Sequence, residues 1–594
     1  MFALLVVVPM LVAAILALPL KDHFEIVRYL SLFASLASLI MAFALGMEGA
    51  HVESINWFSI SNYSFHIVAY TYPLNMLLLY LIAVITPLII AYSIGFMDTP
   101  SEQARYYFEL LMFASAMMLF ALAGNFLTMF IGWEMLGITS YLLIGFWYRK
   151  RAPAHAARKA ITTVFIGDIL MLAAMIMLWV AYGTFSFAYI MQASSGAYAY
   201  IALVLVLAAA YTKSAQFPFH EWLPDAMEGP TPVSAFLHSS TMVKAGVFLV
   251  AVLLPLYMRF GMGWIIIMLG IITSIIAISN ALTETHIKRI LAYSTVEDMG
   301  LMFVALGFGS LIGAMLLFVV QAFYKALLFM NAGTIMKANN EEENIYRSYS
   351  PKSYKPLFIT MLIGVLSLAG IFPVSGFFGR VGVEVAASNI YVYVVLLLID
   401  FASSVYIFRW LYVPMRKPKS AYEESEVSMN FGRTPKSMLV PQYILGAIVL
   451  AAGILYFYMP KFLSGYIGSQ MRIAIADSLI ESTVVVLGIF VAYVLFSKHR
   501  AEKGIEAMHT TLYKIAYNSL ATNKFYQYFA DIFIYISKAF ETFDYALLGF
   551  VKTGGRGIVL FGNFVRKAET GQINIYAIAF VLGFLLLIFM VILK

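Results

Sequence analysis

Sixteen apolar stretches of membrane-crossing length leave this chain few folds to choose from. They fall near 2–19, 26–46, 74–96, 107–123, 126–147, 160–182, 199–219, 232–255, 263–282, 289–308, 310–337, 357–378, 388–412, 442–460, 480–497 and 573–593. About 20 helical residues cross a ~30 Å hydrocarbon core, and a segment in lipid must satisfy its own backbone hydrogen bonds. The sequence therefore predicts an all-α polytopic membrane protein with about 16 transmembrane helices. Charged residues make up 12% of the chain, against roughly 25% in soluble domains. The first window has no basic segment before it and no small-residue cleavage site, so it reads as a retained helix rather than a signal peptide.

The chain has no cysteine, which excludes a disulfide, an Fe–S cluster and a thiolate metal site built from it. Its nine histidines lack HxxxH or HExxH spacing and no glycine-rich phosphate loop is present, so no cofactor, metal or nucleotide is expected, and any electron chemistry belongs to partner subunits. Arg149, Lys150, Arg151, Arg158 and Lys159 cluster between windows 5 and 6; Arg416, Lys417, Lys419, Arg433 and Lys436 cluster between windows 13 and 14. The alternate short loops are nearly free of Lys and Arg, so the positive-inside rule places both termini outside a cell (inner) membrane. The net charge of +7 follows from this topology and implies no nucleic-acid partner.

Six regions follow from these patterns: N-terminal helices 1–3 (residues 1–106), helices 4–8 (107–255), helices 9–13 (256–412), helices 14–15 (413–497), an amphipathic segment (498–570) and an anchoring helix (571–594). Pro218 in "KSAQFPFHEW" and Pro373 in "SLAGIFPVSGFF" each remove a backbone donor, so helices 7 and 12 are expected to be discontinuous. They lie five windows apart. That odd offset predicts two inverted five-helix repeats, whose broken helices commonly mark the ion site of a transporter. In 498–570, Phe529, Phe533, Ile536, Phe540 and Phe543 recur at helical spacing among polar residues, the pattern of a lateral helix at an interface.

Ionisable groups concentrate in windows 4 to 13: Glu134, Asp168, Lys213, His238, Lys244, Glu297, Lys325 and Asp400. A charge at mid-bilayer costs at least ~2.5 to 3.5 kcal/mol and normally faces a partner or water. Glu134, alone in "IGWEMLGITSYLLIGF", is assigned Lys213 as its best partner, since an acid and an amine in low dielectric form a proton switch. Taken singly, Lys213 equally fits a snorkelling lysine, and a lone buried histidine such as His238 fits a structural hydrogen-bonder. The set, rather than any member, points to proton relay.

The stretches "GWEMLGITSYLLIGFW", "KSAQFPFHEWLPDAMEGPTPVSAFLHSSTMVKAG", "IKRILAYSTVEDMG", "FYKALLF" and "FPVSGFF" resemble the antiporter-type proton-channel subunits of respiratory complex I (NADH-quinone oxidoreductase) and of Mrp cation/proton antiporters, in particular the L-type subunit. The resemblance implies that Glu134 and Lys213 gate a half-channel, that His238 is a relay histidine, that Lys325 bridges two half-channels, and that Asp168 and Lys288 match family positions. It also implies M-, N- and K-like membrane-arm partners and quinone chemistry elsewhere in the complex. Gln321 stands where the family L subunit usually has a histidine. "GFFGRV" replaces "GFFSKD", so Arg380 replaces the exit lysine; Asp400 is then the favoured exit acid, with Glu384 expected nearer external solvent.

The expected function is proton translocation within a complex I-like oxidoreductase, with redox energy supplied by partners. The alternatives are an Mrp-type antiporter subunit and a membrane-arm subunit of a hydrogenase-linked or F420H2-linked complex. Mrp large subunits carry further spans, whereas this sequence stops at Lys594, which favours the redox reading. A scaffold role leaves the intramembrane charges unexplained. The "STVEDMG" stretch resembles hydrogenase-linked relatives and keeps the electron donor open.

Overall fold

The computed structural model describes residues 3–60, 63–97, 100–193, 196–350, 354–415, 429–455, 475–496, 522–568 and 571–592. They fall into two units, one within residues 1–520 and one within 521–594.

In chain order the first unit contains α1 (Val8–Ala17), α2 (Phe24–Met47), a hairpin of β1 (Val52–Ile60) and β2 (Tyr63–Tyr70), α3 (Pro73–Phe96), α4 (Pro100–Ala121), α5 (Phe126–Ile144) and α6 (Arg151–Tyr182). It continues with α7 (Phe187–Ala193), α8 (Ala197–Lys213), α9 (Trp222–Asp225), α10 (Thr231–Ser239), α11 (Met242–Val252), α12 (Leu254–Arg259) and α13 (Gly263–Thr283). It ends with α14 (Ile287–Gly307), α15 (Leu311–Ala338), α16 (Lys355–Ala369), α17 (Ser375–Ala386), α18 (Ile390–Tyr412), α19 (Lys436–Leu455) and α20 (Ile475–Phe496). The second unit holds α21 (Thr522–Ala568) and α22 (Ile573–Ile592).

Every apolar window of the sequence falls on a helix. Among the described residues, 12 helices are long and apolar enough to cross a membrane, with α10 and α11 counted together. Ala3–Ala17, α8 and α16 are shorter apolar helices. Burial separates the centre from the rim. The apolar window of α14 is 100% buried and that of Thr231–Val252 94%, whereas that of α2 is 33% buried. Lys244, Glu297 and Lys325 therefore sit on helices sheathed by other helices, where the apolar sequence has a protein neighbour on every side.

Helix starts follow local chemistry. Asn125, Ser310 and Asn389 cap α5, α15 and α18 by accepting from Thr128 N, Gly313 N and Tyr391 N, which satisfies donors with no partner within the helix. The two proline-broken sites depart from helix as their sequences demand. The chain leaves α8 at Lys213 and runs through Pro218 before α9; it leaves α16 at Ala369 and resumes at Ser375, with Pro373 between. A third interruption, at Ser240–Thr241 between α10 and α11, had no proline to announce it. There Thr241 Oγ1 donates to Phe236 O at 2.7 Å, occupying a carbonyl freed by the break.

The hairpin departs from the expected all-α pattern. Its register pairs Val52 with Tyr70 and Ile55 with Ile67. Phe65 stacks on Phe58 at 4.7 Å and on Trp179 at 5.5 Å, while Thr128 Oγ1 accepts from Val68 N and Asn125 Nδ2 donates to His66 O. The ribbon thus covers the start of α5. Its β-branched and aromatic residues with interleaved Ser54, Asn56, Ser59, Ser64 and His66 carry the strand signal, hidden between two stronger membrane windows.

In the second unit α21 is a single helix of 47 residues, about 70 Å at 1.5 Å per residue. Ile536, Phe540, Phe543, Leu547 and Phe550 recur along one stripe and are all exposed. The part of the expected lateral segment at 498–521 lies outside the described residues, as do Arg416, Lys417 and Lys419.

Candidate functional site

The first group of charges forms where α5, α6 and α8 meet. Lys213 is the last residue of α8, at the end where a helix dipole favours a cation, because the turn at Ala215 (φ +50°) stops the helix there. Its Nζ lies 3.7 Å from Asp168 Oδ1, donates to Trp133 O and stands 4.2 Å over the Trp133 ring. Trp133 Nε1 donates to Asp168 Oδ1 at 2.6 Å. Gly167 permits this closeness, since a Cβ there would fall 1.9 Å from Thr212 Oγ1 on α8. The expected direct Glu134–Lys213 pair is corrected: among the described residues the acid within ion-pair distance of Lys213 is Asp168. Glu134 lies on the next position of α5 after Trp133, half-buried. Asp168 wins because α6 packs directly along α8, bringing its inward face to the lysine.

The middle group is sparser. Lys244 on α11 donates to Phe318 O of α15, with its Nζ 4.5 Å over the Phe318 ring. His238 on α10 is fully buried and stacked on Phe329 at 5.2 Å, and neither ring nitrogen has a hydrogen-bond partner among the described residues. Gln321, where the resemblance led one to look for a histidine, donates through Nε2 to His238 O at 3.2 Å. Lys288 donates to Met227 O and Gly229 O and so ties α14 to the turn before α10.

The second group is a connected ionic network. Lys325 Nζ on α15 is 3.0 Å from Asp298 Oδ2 and donates to Ser294 Oγ. Asp298 also accepts from Tyr324 Oη at 3.0 Å. Arg380 on α17 reaches Asp298 at 3.6 Å, Glu297 at 3.1 Å and Asp400 of α18, while its Nε donates to Leu368 O in the last turn of α16. Ser403 and Tyr406 of α18 donate to the two oxygens of Glu297. The break after α16 makes room for this: a Cβ on Gly370 (φ +79°) would fall 2.9 Å from Arg380 Cδ.

Of the residues read from the sequence, Lys325, Arg380 and Asp400 come together in this network, Asp168 and Lys213 pair, and Glu134, His238 and Lys244 stand without an ion pair within 4 Å among the described residues. Glu384 is not near solvent as expected. It is 1% exposed, because α17 turns its acid inward against α18 and α20. Asp298 was missed although "VED" puts two acids in an otherwise apolar run; Glu481, the one acid of "IESTVVVLGIF" at the start of its apolar window, was missed likewise. A cleft of about 660 Å³ lined by Arg149, Lys150, Asp225, Glu228 and Arg289 lies apart: neither Lys213, Lys325 nor Arg380 lines it.

A buried train of acids and amines in a bundle with two proline-broken helices defines an antiporter-like ion-translocating membrane subunit. Residues 123–405 match the family described as NADH:quinone oxidoreductase/Mrp antiporter, TM. The NADH-quinone oxidoreductase subunit L of Campylobacter jejuni is 32% identical over 88% of this chain and 87% of its own length. The F(420)H(2) dehydrogenase subunit L of Methanosarcina mazei is 30% identical over 94% and 93%. A subunit in the structure of the Mrp complex from Dietzia sp. superposes with a TM-score of 0.76 at 20% identity; the match covers all of this chain and 63% of that one, and so speaks for the fold. The chain belongs to the NADH:quinone oxidoreductase/Mrp antiporter membrane family.

Proposed function

We propose that this chain is the L-type proton-translocating subunit of a complex I-like redox complex. The observation that carries the reading is the continuous buried path from Lys325 through Asp298 and Arg380 to Asp400. Charges are costly in a membrane interior, and a scaffold has no use for four in series. Lys325 is the titratable amine at its centre, Asp168 and Lys213 form the entry pair, and Glu134, His238 and Lys244 are the groups that modulate or extend the relay. Arg380 holds its proton above pH ~12, so it supplies a fixed positive charge, and release passes to the acids beyond it. Helices 4–8 and 9–13 are read as inverted repeats, each contributing a half-channel beside its broken helix.

The electron donor belongs to partner subunits. The relatives named for NADH and for F420H2 are similar to this chain to nearly the same degree, which favours a shared pump under different input modules. M-, N- and K-like chains are the proposed membrane neighbours, reached in part through α21, in a cell membrane with both termini outside. Purification in mild detergent tests this. A co-purifying quinone-reducing or other redox module, together with redox-driven proton uptake by vesicles that Lys325→Ala abolishes, is the expected result. Cation-antiporter subunits without any redox protein would overturn it.

A further inference from the structure

Beyond Asp400, the ionic network runs into two acids that it does not neutralise. Glu384 on α17, Asp400 on α18 and Glu481 on α20 are 1%, 2% and 0% exposed, and they bring carboxylate oxygens within 4.8 Å of one another. No donor among the described residues hydrogen-bonds either oxygen of Glu384 or either oxygen of Glu481. The charges do not balance. Glu297, Asp298, Asp400, Glu384 and Glu481 are five buried acids connected to two cations, Lys325 and Arg380, and the guanidinium of Arg380 is already engaged by Glu297, Asp298 and Asp400. Buried carboxylates without a donor are costly and take up a proton instead. Three carboxyl groups this close, two of them without a donor, are relieved when one carries a proton.

We propose that Glu384 and Glu481, beside the Arg380-bound carboxylate of Asp400, are a carboxyl pair that holds one exchangeable proton at the release end of the path. This rests on the proton-translocating reading above and assigns its last carrier. Arg380 cannot give up a proton, so it holds Asp400 as the anion; the proton lies on the two glutamates that lack a cation of their own. It arrives on a Glu384 or Glu481 oxygen, leaving the donating group one proton poorer and the pair with a single shared negative charge, and departs to leave both carboxylates ionised. Besides Arg380 and Asp400, Tyr393 is the titratable group among the described residues that faces the cluster. Glu481 belongs to α20, beyond the residues 123–405 of the family match, so the proposed exit is built partly from outside the shared domain.

The test uses the intact complex in proteoliposomes with Glu481→Gln, Glu481→Asp, Glu384→Gln and Lys325→Ala. The expected result is a fall of at least fivefold in protons moved per electron for Glu481→Gln and Glu384→Gln, with electron transfer retained and substantial recovery in Glu481→Asp. Infrared difference spectra should show the C=O stretch of a protonated carboxyl in the parent and its loss in either Gln variant. Parent-like pumping by Glu481→Gln, or an unchanged carboxyl band in both Gln variants, overturns the assignment. Coupled uptake of Na+ in place of protons would overturn it too, since a cation would then fill the cluster. If Lys325→Ala also pumps normally, the translocation reading itself fails; if only the glutamate variants do, the failure is confined to this exit.

Discussion

Arg380 and Asp400 form an ion pair across the α17–α18 interface in which both side chains are withdrawn from the surface. The same guanidinium reaches Glu297 and Asp298 on the fully sheathed α14. A planar fork with five donors serves three acids in fixed directions and leaves Nε free for Leu368 O, where an ammonium has three donors on one atom. Removing it should strand Asp400 and leave Glu297 with hydroxyl donors but no cation, while Asp298 keeps Lys325 and Tyr324. Arg380→Ala is expected to destabilise the bundle by about 3 to 5 kcal/mol, seen as loss of assembled complex or a lower unfolding temperature in detergent. Arg380→Lys should retain most of the assembly and lose part of the stability. Parent stability in the Ala variant would show that the acids are neutral without it.

Lys325→Ala leaves a different remainder. Asp298 keeps Tyr324 as a donor and Arg380 as a counter-charge, so no acid is orphaned and assembly should be near normal. Proton pumping is expected to fall more than tenfold while electron transfer persists uncoupled or slows with it. An assembled variant that pumps at the parent rate would place the central relay elsewhere.

At the other group, Asp168 and Glu134 should separate cleanly. Asp168 is the acid at buried Lys213 and the acceptor for Trp133, so Asp168→Asn breaks a buried pair and is expected to cost about 3 kcal/mol. Glu134→Gln removes a half-buried charge with no ion pair within 4 Å and should assemble normally with impaired coupling. The opposite order of stabilities, read from unfolding in detergent, would restore Glu134 as the structural partner of Lys213.

How much of this was legible depended on whether a signal is local. Helix positions follow apolar length, so each window fell on a helix, and the breaks at Pro218 and Pro373 followed from a missing backbone donor. The placement of Asp400 beside Arg380 was also inferable, because a mid-window acid needs a cation and few were near. Pairing between distant helices was not. Choosing Asp168 over Glu134 for Lys213 requires knowing that α6 lies along α8, and the inward turn of Glu384 depends on how α17 resumes after Gly370. The hairpin was hidden because period-two alternation over nine residues is weak beside two membrane windows.

Outside the bundle core, the loop after α15 offers a pH readout. Glu343 Oε2 accepts from His286 Nε2 at 2.9 Å, and that bond, with the positive charges of Lys288 and Arg289, holds its carboxyl below the usual range. A lowered folded pKa means that the contribution is present above the unfolded carboxylate pKa and is lost as pH falls through the folded one. The carboxylate is half exposed, so the effect is small, ~0.2 to 1 kcal/mol. Glu343→Gln should lower the unfolding temperature slightly at neutral pH and converge with the parent in acid. A gap that widens on acidification would contradict the sign.

Asp400 is the hinge between the fixed charge and the acids beyond it. Asp400→Asn preserves shape and one acceptor for Arg380, which also keeps Glu297 and Asp298, so the guanidinium is not left unpaired and assembly should survive. What disappears is the anion between Arg380 and the Glu384–Glu481 pair. Without it, the positive charge of Arg380 acts directly on those glutamates and favours their ionised form, so they hold a proton less readily. Protons moved per electron should then fall several-fold with electron transfer intact, and the carboxyl C=O band should weaken although neither glutamate has been changed. Asp400→Glu, which returns the anion on a longer stem, should recover part of both signals. If Asp400→Asn pumps at the parent rate with its carboxyl band intact, then Arg380 and Asp400 are a structural clamp and the exit path does not pass between them.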